Sequence, residues 1–320
     1  MASAGQRYWE RHAKNYDRSM ALLGRPMGRV VDLTREAVAG AGCIRGDVRD
    51  QAVVAGAMRD LSPHAVIHVA GIKSVAESMV HPERYFSINT AGTLAVLEAM
   101  AATGVRHIIF SSSAAVYGSP ADVPVKEQAG TEPESPYGES KLQAERWLTW
   151  FQRSHRISYF ALRYFNAAGA SGNGRFGESW TGAVNLIPVA MRALKSGEQM
   201  SIFGDDWPTP DGTAIRDYVH VDDLAEGHVA AVEALLAGRP SAVLNLGTGM
   251  GTSVREVLDA IHRLTGWRVP VTIAPRRSGD VPAMWADVSR ARETLDWTTH
   301  RTLDDIVASA WHFYSTLRAG

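Results

Sequence analysis

A short segment that reads Ser135-Pro136-Tyr137-Gly138-Glu139-Ser140-Lys141 places a phenol and an ammonium four residues apart. Side chains at that spacing lie on one face of a helix. A phenol titrates at about pH 10 in water, but a neighbouring cation favours the phenolate and lowers the phenol pKa. Tyr137 beside Lys141 is therefore a candidate general base for a sugar or alcohol hydroxyl. Taken alone, the spacing is more typical of a surface tyrosine and a solvated lysine, so the surrounding sequence has to decide.

The elements that would position these side chains alternate along the chain. Apolar runs and helical periodicity predict strands over 65–70, 107–111 and 158–163, and helices over 82–103 and 137–153. The alternation predicts βαβ units and a Rossmann-like, doubly wound parallel α/β sheet. Such sheets bind ligands beyond the carboxyl ends of their strands. We therefore expect the site near the segments that follow the three strands, which are 71–73, 111–113 and 164–166.

Composition excludes several classes of protein. The 320 residues are 45% apolar and 21% charged, with a net charge of −1, which does not favour broad binding to nucleic acid or acidic membranes. The single cysteine, Cys43, excludes an internal disulfide and fits a cytoplasmic protein. No apolar stretch reaches the length of a signal or a membrane span, and histidines show no metal spacing with carboxylates. We expect neither a metal nor a membrane partner.

From about Gly46 to the end, the chain resembles the UDP-glucose 4-epimerases, which are extended short-chain dehydrogenases/reductases. The resemblance depends on segments that follow in family order: Gly46–Arg49, Val66–Lys73, Phe110–Gly118, Ser135–Lys141, Leu162–Asn166, Asp211–Val221, Asn245–Gly249 and Ala274–Asp280. Agreement over so many segments makes chance an unsuitable explanation.

The resemblance implies the reaction and the catalytic residues. Tyr137 would remove the proton from the 4-hydroxyl of a UDP-hexose while bound NAD accepts the C4 hydride. Lys141 would lower the pKa of Tyr137 and hold the nicotinamide ribose, and Ser113 would help to move the proton. The substrates implied are UDP-glucose and UDP-galactose.

The resemblance also implies two sets of binding residues. The cofactor set comprises Asp47, Val48, Val69, Ala70, Gly71, Lys73, Asn89, Ser111, Tyr137, Lys141 and Phe165. The substrate set comprises Lys73, Ser113, Tyr137, Asn166, Asn185, Leu186, Ser201, Ile202, Phe203, Arg216, Arg277 and Met284. The two arginines suit a diphosphate because each presents a planar fork of donors. Met284 departs from the tyrosine or smaller residue usual beside the sugar, so acceptance of N-acetylated sugars stays open.

The domain organisation follows from the same comparison. We expect an atypical helical segment over 1–43 and a cofactor domain over 44–168 that the chain rejoins over about 214–250. The substrate domain would comprise 169–213 and 251–320. Polar, glycine-rich stretches over 167–181 and 205–213 are predicted to be loops over the site. A homodimer could form through the family's two-helix face, over 82–103 and 137–153.

The segment 1–43 departs from the family. The expected strand, Gly-x-x-Gly-x-x-Gly turn and helix have no counterpart there, and the segment resembles the leader of a class I methyltransferase. Because those glycines let the backbone approach the cofactor diphosphate, we expect weakened NAD binding. The strand near Cys43-Ile44 would also lose neighbours, and the sheet would expose an edge.

Three conspicuous features have structural interpretations. His68 lies in a buried strand run and is predicted to be a core histidine. Residues 247–251 lack the spacing of a dinucleotide loop; in the resembled family they connect a strand to a helix, which Ser253 could cap. Asp222-Asp223 predicts the start of a helix.

Three other functions remain as alternatives. A catalytically impaired UDP-sugar-binding protein is favoured by the missing glycine turn. A 4,6-dehydratase needs an acid pair beside the serine at the strand end, and Ser113-Ala114-Ala115 supplies none. A methyltransferase is disfavoured because its own cofactor loop is absent.

Overall fold

The computed structural model describes residues 44–179, 183–277 and 279–316. The helices of the amino-terminal half are α1 (Gln51–Leu61), α2 (Val75–Val80), α3 (Pro82–Tyr85), a π-helix (Phe86–Ala91), α4 (Gly92–Thr103), a 3₁₀ turn (Ala114–Tyr117) and α5 (Pro136–His155). Those that follow are α6 (Leu186–Ser196), α7 (Val221–Leu236), α8 (Val254–Thr265), α9 (Ser289–Leu295) and α10 (Leu303–Thr316). The predictions for segment 1–43 lie outside the described residues.

The strands are short and form several sheets. They are β1 (Val66–His68), β2 (His107–Ser111), β3 (Ser158–Tyr164), β4 (Asn166–Ala168), β5 (Met200–Phe203), β6 (Ile215–Arg216), β7 (Tyr218–His220), β8 (Ala242–Leu246), β9 (Thr252–Ser253), β10 (Val271–Ala274) and β11 (Ala283–Met284). One sheet has the order β1-β2-β3-β8, with β1 and β2 parallel; the others are β10-β5, β11-β6-β9 and β4-β7.

The chain divides into two compact units. The described residues of the first unit are 44–116, 135–161 and 232–242, and the second unit holds the remaining described residues. In the first unit, α1 packs on α4, whose residues Val96, Leu97 and Met100 are fully buried. In the second unit, α6, α8 and α10 form a core with Met191, Ile261 and Val307 among its members. The functional domain boundaries stay a prediction.

Local sequence explains where the important helix of the first unit begins and ends. The side chain of Ser135 accepts a hydrogen bond from the Gly138 N–H, and Pro136 occupies the first turn, where its missing N–H costs nothing. Helix α5 therefore starts one residue before the predicted 137. It ends at His155, and the next residue, Arg156, adopts the left-handed conformation.

Three predicted elements differ from the structure. Only Val66–His68 of the predicted strand 65–70 is a strand, and Val69 is 52% exposed. The predicted helix 82–103 is interrupted by the π-helix, in which Asn89 is buried. Ile44 is not part of a strand, and Cys43 lies outside the described residues. Hydropathy marks burial and period but cannot locate the residue at which a ladder of hydrogen bonds stops.

Two of the features with structural interpretations are confirmed, and the third is confirmed in part. His68 is buried, and its Nε2 lies 2.9 Å from Thr93 Oγ1. Helix α7 begins at Val221, so that Asp222 and Asp223 lie in its first turn. Residues 247–251 connect β8 to the two-residue strand β9 and do not lead directly into a helix, which corrects the expected connection. The expected cap is present, since Ser253 caps α8 in a capping box with Glu256.

Candidate active site

Helix α5 buries both members of the predicted catalytic pair. Tyr137 is 9% exposed and Lys141 is 5% exposed, in the first two turns of the helix. The Lys141 ammonium donates to the main-chain oxygen of Ser111 at 2.9 Å and lies 5.0 Å from the centre of the Phe110 ring. The cation is therefore fixed at the carboxyl end of β2, where parallel sheets place their ligands.

Burial changes the acidity of the Lys141 ammonium. Loss of water lowers the pKa of Lys141 from 10.5 to about 8, and the charge of Glu145 opposes this shift. At pH 7 the side chain still carries its proton, so it remains a cation next to the Tyr137 position on the helix. A buried cation acts more strongly on a neighbouring phenol than a solvated one, because less water screens its charge.

Helix α5 also contains a buried carboxylate, Glu145. Glu145 is one turn after Lys141, and its Oε1 accepts a hydrogen bond from Ser112 Oγ at 2.5 Å. Both residues are buried. Sequence reasoning missed this pair, although Glu145 stands at the i+4 spacing from Lys141 that usually marks neighbours on a helix.

Asn89 connects the segment after β1 to helix α5. Its Oδ1 accepts from the Ile72 N–H at 2.8 Å, and its Nδ2 donates to the Ile72 oxygen at 3.0 Å and to Ser140 Oγ at 3.0 Å. Ser140 Oγ in turn donates to the main-chain oxygen of Tyr137 at 2.7 Å. A Cβ on Gly71 would come within 2.9 Å of Asn89 Oδ1, so the approach requires glycine. The network fixes the 71–73 segment against the helix that carries the candidate base.

The other predicted residues of the first unit occupy the surrounding surface. Ser113 follows β2, and its Oγ accepts from the Ala115 N–H at 3.2 Å. Gly71 and Lys73 are exposed, as is Val69, whereas Ala70 is partly exposed. Exposed apolar and glycine positions at a strand end suit contact with a flat ligand.

The cofactor positions that precede α1 differ from one another. Val48 is buried, so only its main chain could reach a ligand. The Asp47 carboxylate accepts from Arg49 Nη2 at 2.6 Å and from Arg49 Nε at 3.0 Å. Any contact of Asp47 with a cofactor would therefore include the adjacent guanidinium. Both roles stay predictions.

The second unit brings two predicted arginines together around one carboxylate. Arg277 Nε donates to Asp280 Oδ2 at 3.0 Å, and Arg216 Nη2 lies 3.8 Å from Asp280 Oδ1. The Arg277 guanidinium lies 4.3 Å from the centre of the Phe203 ring. Met284 on β11 is the register partner of Arg216 on β6. Two cations with one anion leave positive charge for a diphosphate.

Burial makes Arg216 the less hydrated of the two arginines. Loss of water lowers the pKa of Arg216 from its usual value, while Asp280 opposes the shift. A partly dehydrated guanidinium gains more from an anionic ligand than an exposed one, because the dielectric screening is weaker. Asp280 ends the matched segment Ala274–Asp280, but no role was predicted for it. Its position three residues after Arg277 was the sequence signal for an ion pair between the two.

The remaining substrate positions lie on elements of the second unit. Asn166 begins β4, and its N–H donates to the main-chain oxygen of Asp217 at 2.9 Å. Asn185 precedes α6, which begins at Leu186, and its Nδ2 donates to Glu178 Oε2 at 2.8 Å. Two further substrate positions are Ser201 and Ile202 of β5, of which Ile202 is buried. Phe165, which was predicted as a cofactor position, precedes β4.

Comparison with known proteins gives this arrangement a family. The profile of the NAD dependent epimerase/dehydratase family matches residues 14–247. The chain belongs to this family. The match begins within segment 1–43, and the resemblance of that segment to a methyltransferase leader stays a prediction.

Individual family members are similar over most of their length. A UDP-glucose 4-epimerase of Yersinia pestis is 45% identical over 84% of this chain and 81% of that protein. One from Azospirillum brasilense is 44% identical over 90% of this chain and 84% of that protein. The crystal structure of the Stenotrophomonas maltophila UDP-glucose-4-epimerase, with bound NAD and formylated UDP-arabinopyranose, has a TM-score of 0.88 at 39% identity and covers 91% of this chain and 88% of that one.

In this family member, Tyr137, Lys141 and Ser113 belong to the first unit, and Arg216, Arg277 and Met284 belong to the second. Among the described residues, no group of three His, Cys, Asp or Glu side chains could hold a metal. None of the described helices has the length and apolar character that a membrane span requires.

Proposed function

We propose that this protein is a UDP-glucose 4-epimerase that interconverts UDP-glucose and UDP-galactose with NAD as its cofactor. The observation that carries the proposal is the buried ammonium of Lys141, four residues after Tyr137 on helix α5. This ammonium is held by a hydrogen bond to the Ser111 carbonyl. The epimerase name of the relatives supports the reaction. It gives no support to the catalytically impaired UDP-sugar-binding protein over the active enzyme.

The described residues fit a nicotinamide cofactor. An ammonium has three N–H donors, so Lys141 can hold a ribose hydroxyl in addition to the Ser111 carbonyl. The exposed Val69 side chain offers an apolar surface to a flat ring, and Gly71 leaves room for close approach. NAD, when bound, supplies the reversible hydride acceptor for C4 of the sugar. The related epimerase of Bifidobacterium longum was crystallised with NAD+ and UDP.

The chain's own residues move the proton. Tyr137, as phenolate, accepts the proton of the 4-hydroxyl, and the positive charge of Lys141 stabilises the phenolate before that transfer. Ser113 bridges the hydroxyl and the phenol, and Tyr137 later returns the proton to the sugar oxygen. No net acid or base is consumed, as an epimerisation requires.

The substrate is held mainly through its nucleotide. Arg216 and Arg277 bind the diphosphate through their guanidinium donors. Because these contacts do not fix the hexose, its ring keeps the freedom to present either face of C4. Met284 borders the hexose through its pairing with Arg216, and its flexible side chain fits the unmodified sugars.

The direct test is a coupled UDP-galactose assay with and without added NAD. The proposal expects turnover, and Tyr137→Phe should reduce kcat by about 10²-fold or more because the proton acceptor is lost. Tyr159→Phe is a matched control, since Tyr159 is also a buried tyrosine of the first unit and has its hydroxyl 3.1 Å from Thr149 Oγ1. Undiminished turnover in Tyr137→Phe would refute the assignment. The two NAD conditions also test whether the purified chain retains its cofactor.

We also propose that the protein is a cytoplasmic homodimer that pairs through the two-helix face over 82–103 and 137–153. The exposed Trp150 on α5 supports an apolar contact on that face. Light scattering after size-exclusion chromatography should give the mass of two chains. A monomer mass at micromolar concentration would contradict the proposal.

A further inference from the structure

Asp217 is a fully buried carboxylate next to the Arg216 position. Its exposed fraction is 0%, and it lies between strands β6 and β7. Oδ1 accepts from the Thr248 N–H at 2.8 Å and from Thr248 Oγ1 at 2.7 Å. Oδ2 accepts from the N–H groups of Gly249 and Ala286, each at 3.2 Å. The carboxylate therefore joins two other segments to the strand that carries Arg216.

The sheet that carries Arg216 has little else to fix its register. Strands β6, β9 and β11 contain two residues each, so their ladders supply few hydrogen bonds. Arg216 is the register partner of Met284 on one side and of Thr252 on the other. The Asp217 contacts reach just past Met284, at Ala286, and just before Thr252, at residues 248 and 249. The carboxylate thus fixes both neighbours of β6 at the same place.

The local packing shows that this arrangement depends on close approach. A Cβ on Gly247 would lie 2.4 Å from Asp217 Oδ2 and 2.9 Å from Ala286 Cβ, so only glycine fits. Among the described residues, no lysine, arginine or histidine forms an ion pair with Asp217, and burial raises the pKa of its carboxyl group. Four neutral donors therefore compensate for its desolvation. A buried carboxylate has acceptor sites for several donors at once, so it can bring main-chain N–H groups of different segments together at one point.

We propose that Asp217 is a positioning residue for the UDP-sugar site, which holds the Arg216 and Met284 strands in the register that lets both side chains meet one substrate. The inference rests on the proposed function. The main-chain oxygen of Asp217 accepts the Asn166 N–H, and Asp217→Asn would leave this bond in place.

Asp217→Asn is the decisive substitution. An amide offers one acceptor oxygen, so at least one pair of donors would face an NH₂ group, and the strands would move apart. The dissociation constant of UDP, measured by titration calorimetry, should rise about tenfold or more because the arginine is displaced. KM for UDP-galactose should rise similarly while kcat changes by less than about threefold, as for a lost binding contact that is equal in ground and transition states.

A matched control separates positioning from general destabilisation. Asp223 is another fully buried aspartate of the second unit, which accepts from Arg301 Nη1 at 2.5 Å and from the Arg301 N–H at 3.2 Å. It makes none of the contacts to 248, 249 or 286. Asp223→Asn should lower the melting temperature. It should leave the UDP dissociation constant within about twofold, because residues that share no partners affect a site independently of one another.

A double-mutant cycle tests whether Asp217 acts through Arg216. In an Arg216→Ala background, Asp217→Asn should weaken UDP binding by much less than in the wild type. If Asp217→Asn fails to fold, Thr248→Ala removes one of the four donors and should raise the dissociation constant by about two- to threefold, in line with one hydrogen bond of modest net strength.

The outcomes are distinguishable. If the wild type binds UDP and Asp217→Asn binds it with the same affinity, the positioning role is overturned and the proposed function stays intact. The same conclusion follows if the effects of Asp217→Asn and Arg216→Ala on UDP binding are fully additive. Absence of UDP binding in the wild type would overturn the proposed function and the positioning role together.

Discussion

Replacement of Asn89 by leucine would remove the three hydrogen bonds that join Ile72 and Ser140 to the π-helix. Ile72 is buried, so its N–H and C=O groups would each lose their partner away from water. A buried group without a partner costs about 1–3 kcal/mol, which gives about 2–6 kcal/mol for the two. Burial of the leucine side chain offsets about 2 kcal/mol of this cost. The net cost is therefore about 0–4 kcal/mol, and we expect the free energy of unfolding to fall by about 2 kcal/mol, the middle of this net range.

The measurement is urea unfolding at pH 7, followed by circular dichroism. Ser140→Ala is the graded control, because it leaves both bonds to Ile72 and removes only the two bonds of the Ser140 hydroxyl, from Asn89 Nδ2 and to the Tyr137 main-chain oxygen. The loss of two modest hydrogen bonds is partly offset by the higher helix propensity of alanine, so its cost should be about 1 to 1.5 kcal/mol. The reasoning would be refuted if Asn89→Leu lost less than Ser140→Ala. Because Ile72 lies between Gly71 and Lys73, NAD affinity should fall along with stability.

Three further changes give independent tests. Burial lowers the pKa of His68 to about 3, so below pH 6.5 the unfolded chain binds one more proton and stability falls by about 1.4 kcal/mol per pH unit. His68→Gln should remove that slope, so that wild type loses about 2 kcal/mol more than the variant between pH 7 and 5 in urea titrations; equal losses would contradict the assignment. Burial lowers the pKa of Lys141 to about 8, so the unfolded chain holds the extra proton between about pH 8 and 10.5, and wild type should gain stability over that interval relative to Lys141→Met. Parallel pH profiles of the two proteins would exclude a buried ammonium. Ser253→Ala removes the acceptor of the Glu256 N–H and the donor to Asp211 Oδ2, and should cost about 1–2 kcal/mol in thermal unfolding. An unchanged melting temperature would show that neither bond stabilises the fold.

Periodicity and capping chemistry made much of the fold predictable. The helix that carries Tyr137 and Lys141 was expected from its spacing, and the structure extends it by one residue at its start and two at its end. Helix α7 was expected from Asp222-Asp223, and the Ser253 cap from the position of serine before the helix that the family resemblance implied. These features depend on residues within one or two turns of each other, so local sequence contains the whole signal.

The interruption of the helix 82–103 could not be predicted in the same way. A π-helix forms where tertiary contacts stabilise an extra residue in a turn, and Asn89 makes its side-chain bonds to Ile72 and Ser140, which are 17 and 51 residues away. No window of local sequence includes all three residues. The short β1 has a similar origin, since its length depends on its pairing with β2.

The sequence alone determined the chemical inventory: a phenol and an ammonium at the spacing of one helical face, two arginines at positions that the family resemblance assigns to the substrate, and the alternation of strands and helices. Only the tertiary structure decided how these groups are held. The Ser111 carbonyl for Lys141, the Asp280 bridge between Arg216 and Arg277, and the donors around Asp217 all join distant segments. Hydrogen bonds and charges act over a few ångströms of space, and the number of residues between two partners along the chain does not reveal that distance.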